Sequence, residues 1–477
     1  MRQHLMTPLR LKTAFLAFCL FLSGCTEFNS STDEAVINPD PSTPRSLTDW
    51  KIDPDFKALT LDDAETRAWY KRVQLEIDGE RAQKCLPPGT SPQEYPSYPG
   101  SATVSGCSGI KSYIGRGVQS HALALLTLFR LTGDAELLAE LDRVMEIAKA
   151  QLSDTDGDGY RNWHWLTYLD KSDFNLKEDS LAHGFIPEII FAFQKNAEYS
   201  TPEHDYSGHA EEWLVYLRDD FEAKWATRSA TSDSEGLPLS PLMHPYIEML
   251  RYTVYMAKLV PEDAKYRRLE QHLSAIVLNE FKTDKTAGSE AFVWSHAVRY
   301  RTPDGDPNIC LDFQMETYPN RTMMIFMDLA LEGVAGFSSS EAMTKLSQTL
   351  SESILDPNPI AFMYKDVGGL RNGSLDPASR RQTRIGGWCF QEAPFTPNDD
   401  PTNNFRPAGS YTQLNYAFLA AFAADDQTHV EETEIYQVNR QIYGDPADGK
   451  AKLKSPSIPA AMAFARLYAE RGYTLKN

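Results

Sequence analysis

Apolar residues recur every three to four positions through most of the chain beyond Leu61, the spacing that places them on one face of an α-helix. Segments with this period lie near 61–84, 117–132, 135–152, 179–196, 209–228, 244–259, 262–281, 320–335, 339–355, 409–424, 429–443 and 456–472. No run of alternating β-type residues recurs between them, so a βαβ architecture finds no support. The pattern therefore predicts an all-α protein.

About a dozen helices of roughly 16 to 20 residues, some joined by short turns, predict helical hairpins, which form bundles, open solenoids or closed toroids. The chain lacks the fixed period of about 34 to 45 residues that TPR and HEAT arrays require. Long loops rich in Trp, Tyr, His and Arg favour a toroid whose loops build a cleft. We therefore expect a single (α/α)n toroid domain over 50–477, with n of about 6 to 7.

The first 25 residues have the pattern of a lipoprotein signal peptide, 1–25. A basic start precedes the apolar run 14–22, which is only about half as long as a membrane span. The run ends in Leu-Ser-Gly-Cys25, which looks like a bacterial lipobox, although a plain signal peptide with a chance cysteine is the alternative. The polar segment 26–49 predicts a disordered tether. We expect an exported protein held at the bacterial outer membrane only by lipid on Cys25.

Composition and charge narrow the function classes. The chain is 42% hydrophobic and 24% charged, as in soluble globular proteins, and its formal net charge is -19. Such acidity repels phosphate backbones and argues against nucleic-acid binding. The sequence contains no Gly-rich phosphate loop, no Rossmann fingerprint, no G-x-S-x-G and no H-E-x-x-H. Nucleotide-dependent chemistry, classical serine hydrolysis and gluzincin-type proteolysis are therefore disfavoured.

Four cysteines remain once Cys19 leaves with the signal and Cys25 is lipidated, and they are Cys85, Cys107, Cys310 and Cys389. An even number in an exported protein permits two disulfides with three possible pairings. A local Cys85–Cys107 bond across a Pro/Gly/Ser-rich stretch is the first expectation. A zinc site is less favoured, because no two of these cysteines have the C-x2-4-C spacing.

The segment from Asp154 to Tyr160 resembles the first half of a calcium loop, with Asp154, Asp156 and Asp158 at alternate positions. Calcium is a candidate ligand here, but Trp165 stands where an EF-hand places its bidentate Glu. The alternative is a tight Asp/Gly turn between two helices. Trp163 follows the loop, where it would stack on a sugar or belong to the core.

Two helix starts carry a histidine four residues from a carboxylate, a spacing that puts both on one helix face. Asp179 precedes His183, so the carboxylate is placed to orient the imidazole; a capping Asp and a buried structural His is the alternative. His244 opens another helix and precedes Glu248, and a structural helix-start His is again the alternative.

The densest group of reactive side chains runs from Trp294 to Arg301 and continues to Tyr318 and Arg321. It contains His296, Arg299 and Tyr300, and further arginines, including Arg384, precede Trp388. Because Arg binds carboxylates bidentately, these loops predict a local anionic-sugar site on an acidic body. Arginines paired with surplus surface carboxylates are the alternative.

Together, the lipobox, the helical hairpins, the Asp154–Tyr160 loop with Trp163, the Asp179/His183 pair and the Tyr/His/Arg-rich loops resemble helical-toroid polysaccharide lyases, most nearly polysaccharide lyase family 38. The resemblance implies β-elimination on an alginate- or glucuronan-type polymer by a monomer that needs no cofactor. It implies Tyr300 as the proton-transfer residue with His244 as its partner, and Tyr318 and His183 close behind. The expected substrate-binding residues are Arg299, Arg321, Arg301, Arg384, Trp163 and Trp388, with no metal ligand.

Two other functions remain open. A toroid glycoside hydrolase acting on uronyl oligosaccharides would use two of the carboxylates of Asp179, Glu248, Asp312 and Glu316. A surface glycan-binding lipoprotein without catalysis would use Trp and Tyr side chains as a shallow platform.

Overall fold

A computed structural model of the chain describes residues 50–54, 114–154, 157–163, 176–228, 236–283, 292–294, 298, 318–339, 341–342, 345–346, 383–385 and 388–390. The expected leader 1–25 and tether 26–49 lie outside these residues. So do the helices expected near 61–84, 409–424, 429–443 and 456–472, and three of the four cysteines discussed above.

The described part of the chain is predominantly helical, which confirms the fold class that the periodicity predicts. Its α-helices are α1 Ile114–Thr132, α2 Ala135–Lys149, α3 Leu176–His183, α4 Ile186–Lys195, α5 Tyr206–Tyr216, α6 Ala223–Arg228, α7 Met243–Leu259, α8 Ala264–Glu280 and α9 Tyr318–Leu331. A short 3-10 turn, Ala197–Tyr199, follows α4, and a π-helical segment, Leu217–Glu222, joins α5 to α6. None of these helices combines the length and apolar character needed to cross a bilayer.

Aspartates cap several of these helices. The carboxylate of Asp134 accepts a hydrogen bond from the backbone N–H of Glu136, Asp205 accepts one from Gly208, and Asp263 accepts one from Lys265. Each bond satisfies an N–H that the first helical turn leaves open. Between α1 and α2 the chain reverses at Gly133, whose φ of 67° lies in the left-handed region that favours glycine.

The single helix expected over 179–196 is two helices, α3 and α4, separated at Gly184. Pro187 lies in the first turn of α4, where its missing N–H costs nothing. A Cβ on Gly184 would lie 2.8 Å from both the Cβ and the backbone oxygen of Glu248. The absence of a side chain at Gly184 therefore lets α7 approach the junction of α3 and α4 closely.

The helices pair into antiparallel hairpins, α1 with α2, α4 with α5 and α7 with α8. Short connections enforce this arrangement at Gly133 and at 260–263. In the α4–α5 pair, Phe193 near the end of α4 stacks on Tyr206 at the start of α5, with ring centroids 5.6 Å apart. The structure therefore has the hairpin organisation that the sequence predicts.

The first helices of successive hairpins run parallel to one another. Between α7 and α9, the Tyr255 hydroxyl donates to Asp328 at 3.2 Å, and Lys258 bonds to Glu332 just after α9 ends, so positions advance together along both helices. Gly184 packs against Glu248, and four residues later Glu188 faces Arg251, so α3 and α4 run in the direction of α7 as well. Helix α1 joins this layer, because its N-terminal half contacts the start of α7 through Gln119 and its end contacts Asp328 through Arg130.

Two short antiparallel ladders accompany the helices in the described part of the chain. Strand β1, Lys282–Thr283, pairs with β2, Phe292–Val293, and strand β3, Thr383–Ile385, pairs with β4, Trp388–Phe390. After β2, Trp294 is fully buried and its ring lies 4.7 Å from that of Phe281, which also packs on Phe326 of α9. This aromatic cluster attaches the β1–β2 ladder to the helices.

Candidate functional site

The start of helix α7 is bonded to the segment that leads into the Tyr/Arg-rich loop. The backbone N–H of Val298 donates to the carbonyl of Pro241 at 2.6 Å, and the Val298 side chain is buried. His244 follows Pro241 by three residues, and Tyr300 follows Val298 by two. The structure therefore joins the two segments that carry His244 and Tyr300, although Arg299, Tyr300 and Arg301 themselves lie outside the described residues.

The parallel packing of α7 and α9 puts the first turns of both helices at the same end of the layer. Tyr255 follows His244 by eleven residues and its partner Asp328 follows Tyr318 by ten, so Tyr318 lies at the level of His244 along the helix axes. Arg321, one turn further, is half-buried. We call the starts of α7 and α9, together with Val298, the His244 end.

The imidazole of His244 is fully buried. One turn deeper on α7, the Glu248 carboxylate accepts a hydrogen bond of 2.8 Å from the Gln119 side-chain amide and is also paired with Arg251. The face shared by His244 and Glu248 thus points into the protein, as the i,i+4 spacing allows. The Arg251 guanidinium compensates the negative charge of the Glu248 carboxylate, which lies beneath His244.

Below the His244 end, a buried ion network crosslinks the parallel helices. Arg130 contacts Asp328 at 2.9 Å, Glu188 at 3.2 Å and Glu332 at 2.9 Å, and its guanidinium lies 4.0 Å from the centroid of the Trp50 ring. These residues are distributed over α1, α4, the end of α9 and the 50–54 segment, so one guanidinium ties together four parts of the chain.

Burial sets the protonation of this network. It raises the pKa of Glu188 to about 8, with help from the negative charge of Asp328 and against the opposing effects of Arg251 and Arg130. Burial also raises the pKa of Glu332, but Arg130 and Lys258 outweigh it and hold that pKa below its ordinary range. Glu188 therefore carries a proton at neutral pH while Glu332 stays ionised, which reduces repulsion among the acids.

His183 lies in a second cluster, on the side of α3 that faces α5 and the π-helical segment. Its Nδ1 bonds to the backbone carbonyl of Asp179 at 2.8 Å and its Nε2 to the Tyr216 hydroxyl at 2.8 Å. The ring stacks on Phe221 with centroids 4.0 Å apart. Burial lowers the pKa of His183 from 6.5 to about 3, so the imidazole is neutral at physiological pH.

The Asp179 carboxylate does not orient His183, in contrast to the interpretation of the i,i+4 spacing. It accepts hydrogen bonds from Asn162 at 3.2 Å and from the Trp225 indole N–H at 3.1 Å, and it is fully buried. The helix instead offers His183 a backbone carbonyl one turn back. The carboxylate is thus directed toward Asn162, which forms an isolated β-bridge with Ser153, and it holds this loop to α3.

Trp163 belongs to the core. Its side chain is 1% exposed, its indole N–H donates to the carbonyl of Ala148 at 2.8 Å, and its ring lies 4.9 Å from that of His183. Of the two interpretations of this aromatic residue, the structure agrees with a core position. A sugar ring would find no open face of Trp163 to stack on.

In the loop that resembles a calcium site, Asp154 accepts hydrogen bonds from the backbone N–H groups of Gly157 at 2.8 Å and Gly159 at 3.1 Å. The Asp158 carboxylate pairs with Arg228 and lies 3.9 Å from the Lys224 ammonium. Asp156 lies outside the described residues. These contacts are those of a tight Asp/Gly turn, and calcium binding at this loop stays a prediction.

The remaining candidates fall at the edge of the described part of the chain. Only the backbone of Tyr318, Arg384 and Trp388 is described; in the β3–β4 ladder Arg384 pairs with Cys389 and Trp388 pairs with Ile385, so Arg384 and Trp388 are at neighbouring register positions on opposite faces. The structure therefore brings His244, Tyr318 and Arg321 to one end of the helical layer and places His183 and Trp163 in a separate buried cluster.

Tyr216, Asn162 and Arg130 take part in these clusters but are not among the expected site residues. For Tyr216 and Arg130 no local signal exists, because each meets its partners from a distant helix. No protein-family model matches the chain, and no curated protein is significantly similar to it.

Proposed function

We propose that the protein is a polysaccharide lyase that cleaves a uronic-acid-containing polymer of the alginate or glucuronan type by β-elimination. The observation that carries the proposal is the hydrogen bond from Val298 to Pro241, because it holds the segment leading to Tyr300 against the start of the helix that bears His244. Tyr318 and Arg321 enter the same end from α9. Tyr, His and Arg are the residue types that this elimination requires.

In the proposed reaction, a base removes the proton from C5 of the uronate and an acid protonates the leaving O4. The C4–O4 bond breaks and a C4=C5 double bond forms at the new non-reducing end. Tyr300 exchanges the proton with the sugar, and His244 acts behind it as its proton partner. Complete burial of His244 suits this division of roles, since a buried imidazole serves a neighbouring phenol better than it serves a polymer.

The C5 proton becomes acidic enough only when the adjacent carboxylate is neutralised. We assign this task to Arg299 and Arg321, whose planar guanidinium groups match a carboxylate with two parallel hydrogen bonds. Arg301, Arg384 and Trp388 would contact neighbouring sugars. His183 is assigned a positioning role, because its bond to Tyr216 fixes α3 against α5 one residue before Gly184, where the chain packs against Glu248 of α7.

We further propose that the helical layer closes into an (α/α) toroid. Three antiparallel hairpins, whose first helices α1, α4 and α7 run parallel to one another, support this architecture, since such hairpins are the repeat from which these toroids are built. The proposal extends to an exported lipoprotein with lipid on Cys25, acting as a monomer on an anionic polysaccharide without a required cofactor.

The burial of two carboxylates argues against the hydrolase alternative. Asp179 and Glu248 are both fully buried and both occupied by protein hydrogen-bond donors, Trp225 and Asn162 in one case and Gln119 and Arg251 in the other. A glycosidase needs two carboxyl groups that reach the scissile bond. Asp312 and Glu316 lie outside the described residues.

The test incubates the protein with alginate, glucuronan and other anionic polysaccharides and measures the ultraviolet absorbance of the unsaturated product. We expect wild-type protein to produce that absorbance on at least one uronate polymer, and Tyr300→Phe to lose at least 100-fold in rate, in line with a general acid–base contribution of about 10²–10⁴. Tyr199→Phe, at an exposed tyrosine, is the matched control and retains activity. Reducing ends without unsaturated product, or calorimetric binding without any product, would overturn the lyase in favour of a hydrolase or a binding protein.

A further inference from the structure

Two histidines and two carboxylates converge between helices α2 and α5, away from the His244 end. The two oxygens of Asp142 each bond to a different imidazole, Oδ1 to His209 Nδ1 at 2.7 Å and Oδ2 to His204 Nδ1 at 3.0 Å. Glu146 lies one turn after Asp142 on the same face of α2, and its Oε2 is 3.8 Å from His209 Nε2. One donor atom from each of Asp142, Glu146 and His209 can be chosen so that all three lie within 4.8 Å of one another.

We propose that Asp142, Glu146 and His209 form a binding site for a divalent transition-metal ion of the zinc class. Zinc takes imidazole nitrogen and carboxylate oxygen at about 2.0–2.2 Å, so ligand atoms in a tetrahedral site lie roughly 3.4 Å apart. His209 offers one nitrogen to an ion, and its Nδ1 lies 2.7 Å from Asp142 while its Nε2 lies 3.8 Å from Glu146. One donor atom from each residue lies within 4.8 Å of the others, so rotations of the exposed ends of His209 and Glu146 toward Asp142 would bring the three donors to the spacing that the ion requires.

His204 supports the site by bonding to Oδ2 of Asp142, the oxygen that does not contact His209. Its imidazole holds the carboxylate in place while leaving the other oxygen for the metal, which is the arrangement that orients ligands in metal proteins. The Asp142 side chain is 1% exposed, whereas Glu146 and His209 are 16% and 22% exposed. The site is therefore anchored in the protein and open toward solvent on one side, so an ion can enter and a water molecule can complete its coordination.

The charges around the site remain balanced when a divalent cation binds. Lys149 bonds to Glu146 at 2.7 Å and also contacts Glu212, an exposed residue of α5. When the ion takes Glu146, Lys149 keeps Glu212 as its partner and does not become unpaired. Two carboxylate ligands then neutralise the two positive charges of the ion.

Binding would crosslink α2 to α5, the second helices of two successive hairpins. The ion would join positions 142 and 209 without involving the His244 end, so the inference stands independently of the proposed lyase activity. A metal that binds only the folded state stabilises it by mass action.

The test uses the full chain, freed of metal with a chelator, and titrates it with zinc by calorimetry and with cobalt by visible absorption. We expect saturable binding with one ion per chain, a tetrahedral cobalt spectrum and a rise in the thermal midpoint with zinc. His209→Ala and Glu146→Gln lose that binding, and His204→Ala weakens it by about 10- to 100-fold, as expected for a supporting contact. His272→Ala, at an exposed histidine of α8, is the matched control and binds as wild type does.

Two results would overturn the site. One is the absence of saturable zinc binding by wild-type protein. The other is a His209→Ala protein that is folded by circular dichroism and still binds zinc with unchanged affinity, because the ion would then sit elsewhere. Glu146→Gln guards against misfolding of the histidine variant, since glutamine has nearly the shape of glutamate.

Discussion

Tyr216 and His183 are joined by a hydrogen bond of 2.8 Å that is closed to solvent, since both side chains are almost completely buried. The other ring nitrogen of His183 faces a backbone carbonyl, which can only accept a hydrogen bond. Nδ1 therefore carries the proton, and Nε2 accepts from the tyrosine hydroxyl. This pair fixes the tautomer of His183 and keeps the imidazole neutral.

The buried neutral imidazole makes stability depend on pH. Because burial lowers the pKa of His183 to about 3 from 6.5, the unfolded chain binds a proton more readily than the folded chain between those values. The stabilisation that a neutral His183 provides is complete above the unfolded pKa and is lost as pH falls. From about pH 7 to about pH 5 we expect His183 to account for a loss of about 2 kcal/mol in unfolding free energy.

Urea unfolding of wild type and His183→Gln at both pH values measures this contribution. We expect the variant to be less stable than wild type at neutral pH. Between the two pH values its unfolding free energy should decrease by about 2 kcal/mol less than that of wild type. The two proteins must be compared because Glu188 also makes stability depend on pH. Its pKa is raised to about 8, so its contribution to the unfolding free energy falls as pH rises, whereas that of His183 increases. Equal pH slopes for the two proteins would show that folding does not lower the pKa of His183.

Replacing Arg130 by Met should strongly destabilise the protein. The change removes the cation that the buried Asp328 and Glu332 share, and Lys258 remains as a partner of Glu332 alone. Removing one partner of a buried ion pair costs about 3–5 kcal/mol, because the remaining charge is left without compensation. Chemical denaturation of the purified variant measures the loss.

Lys51→Ala is the control for the loss of a cation at an ion pair. Lys51 bonds to Glu198 at 3.0 Å, but both side chains are more than half exposed. An exposed pair contributes at most about 1 kcal/mol. If both variants lost similar stability, the buried network would not be the source of the effect.

Asp179→Asn should cost about 2–3 kcal/mol although the two side chains have the same shape. The Asp179 carboxylate is surrounded by the N–H donors of Asn162 and Trp225, so the amide group of asparagine would turn a donor toward a donor. The same change at Asp134 keeps an acceptor for the backbone N–H of Glu136, since Asn caps helices as well as Asp does. Thermal unfolding of both variants should show a large drop for the first and almost none for the second.

Helix positions in the described part of the chain could be predicted because periodicity is a local property. The expected segment 244–259 corresponds to α7, and 135–152 corresponds to α2 with an end three residues earlier. Pro187 is a local signal for a new helix after Gly184, because proline favours the first turn of a helix. The apolar period continues without a break across 179–196, and for that reason it predicts one helix. The π-helical segment has no comparable signal in its composition.

The clusters could not be predicted in the same way, because they join residues far apart in the chain. Arg130 meets Glu188 across 58 positions and Asp328 across 198. His209 meets Asp142 across 67 positions. Spacing within one helix predicts which side chains share a face, as with His244 and Glu248, but not which helix that face meets. The partner of each face depends on tertiary packing.

Gly184→Ala tests the close approach of α7 to the junction between α3 and α4. The added Cβ would lie 2.8 Å from backbone and side-chain atoms of Glu248, so α7 must shift or strain must accumulate, at a cost of about 1–3 kcal/mol. Gly333→Ala is the comparison, because its φ of 72° strains an alanine while no atom lies within 4 Å of the new Cβ. It should cost only about 1 kcal/mol.

We also expect Gly184→Ala, unlike Gly333→Ala, to reduce lyase activity measured well below its melting temperature, since a shift of Glu248 is carried to His244 one turn away. Full activity in a destabilised Gly184→Ala protein would show that the start of α7 moves independently of this contact.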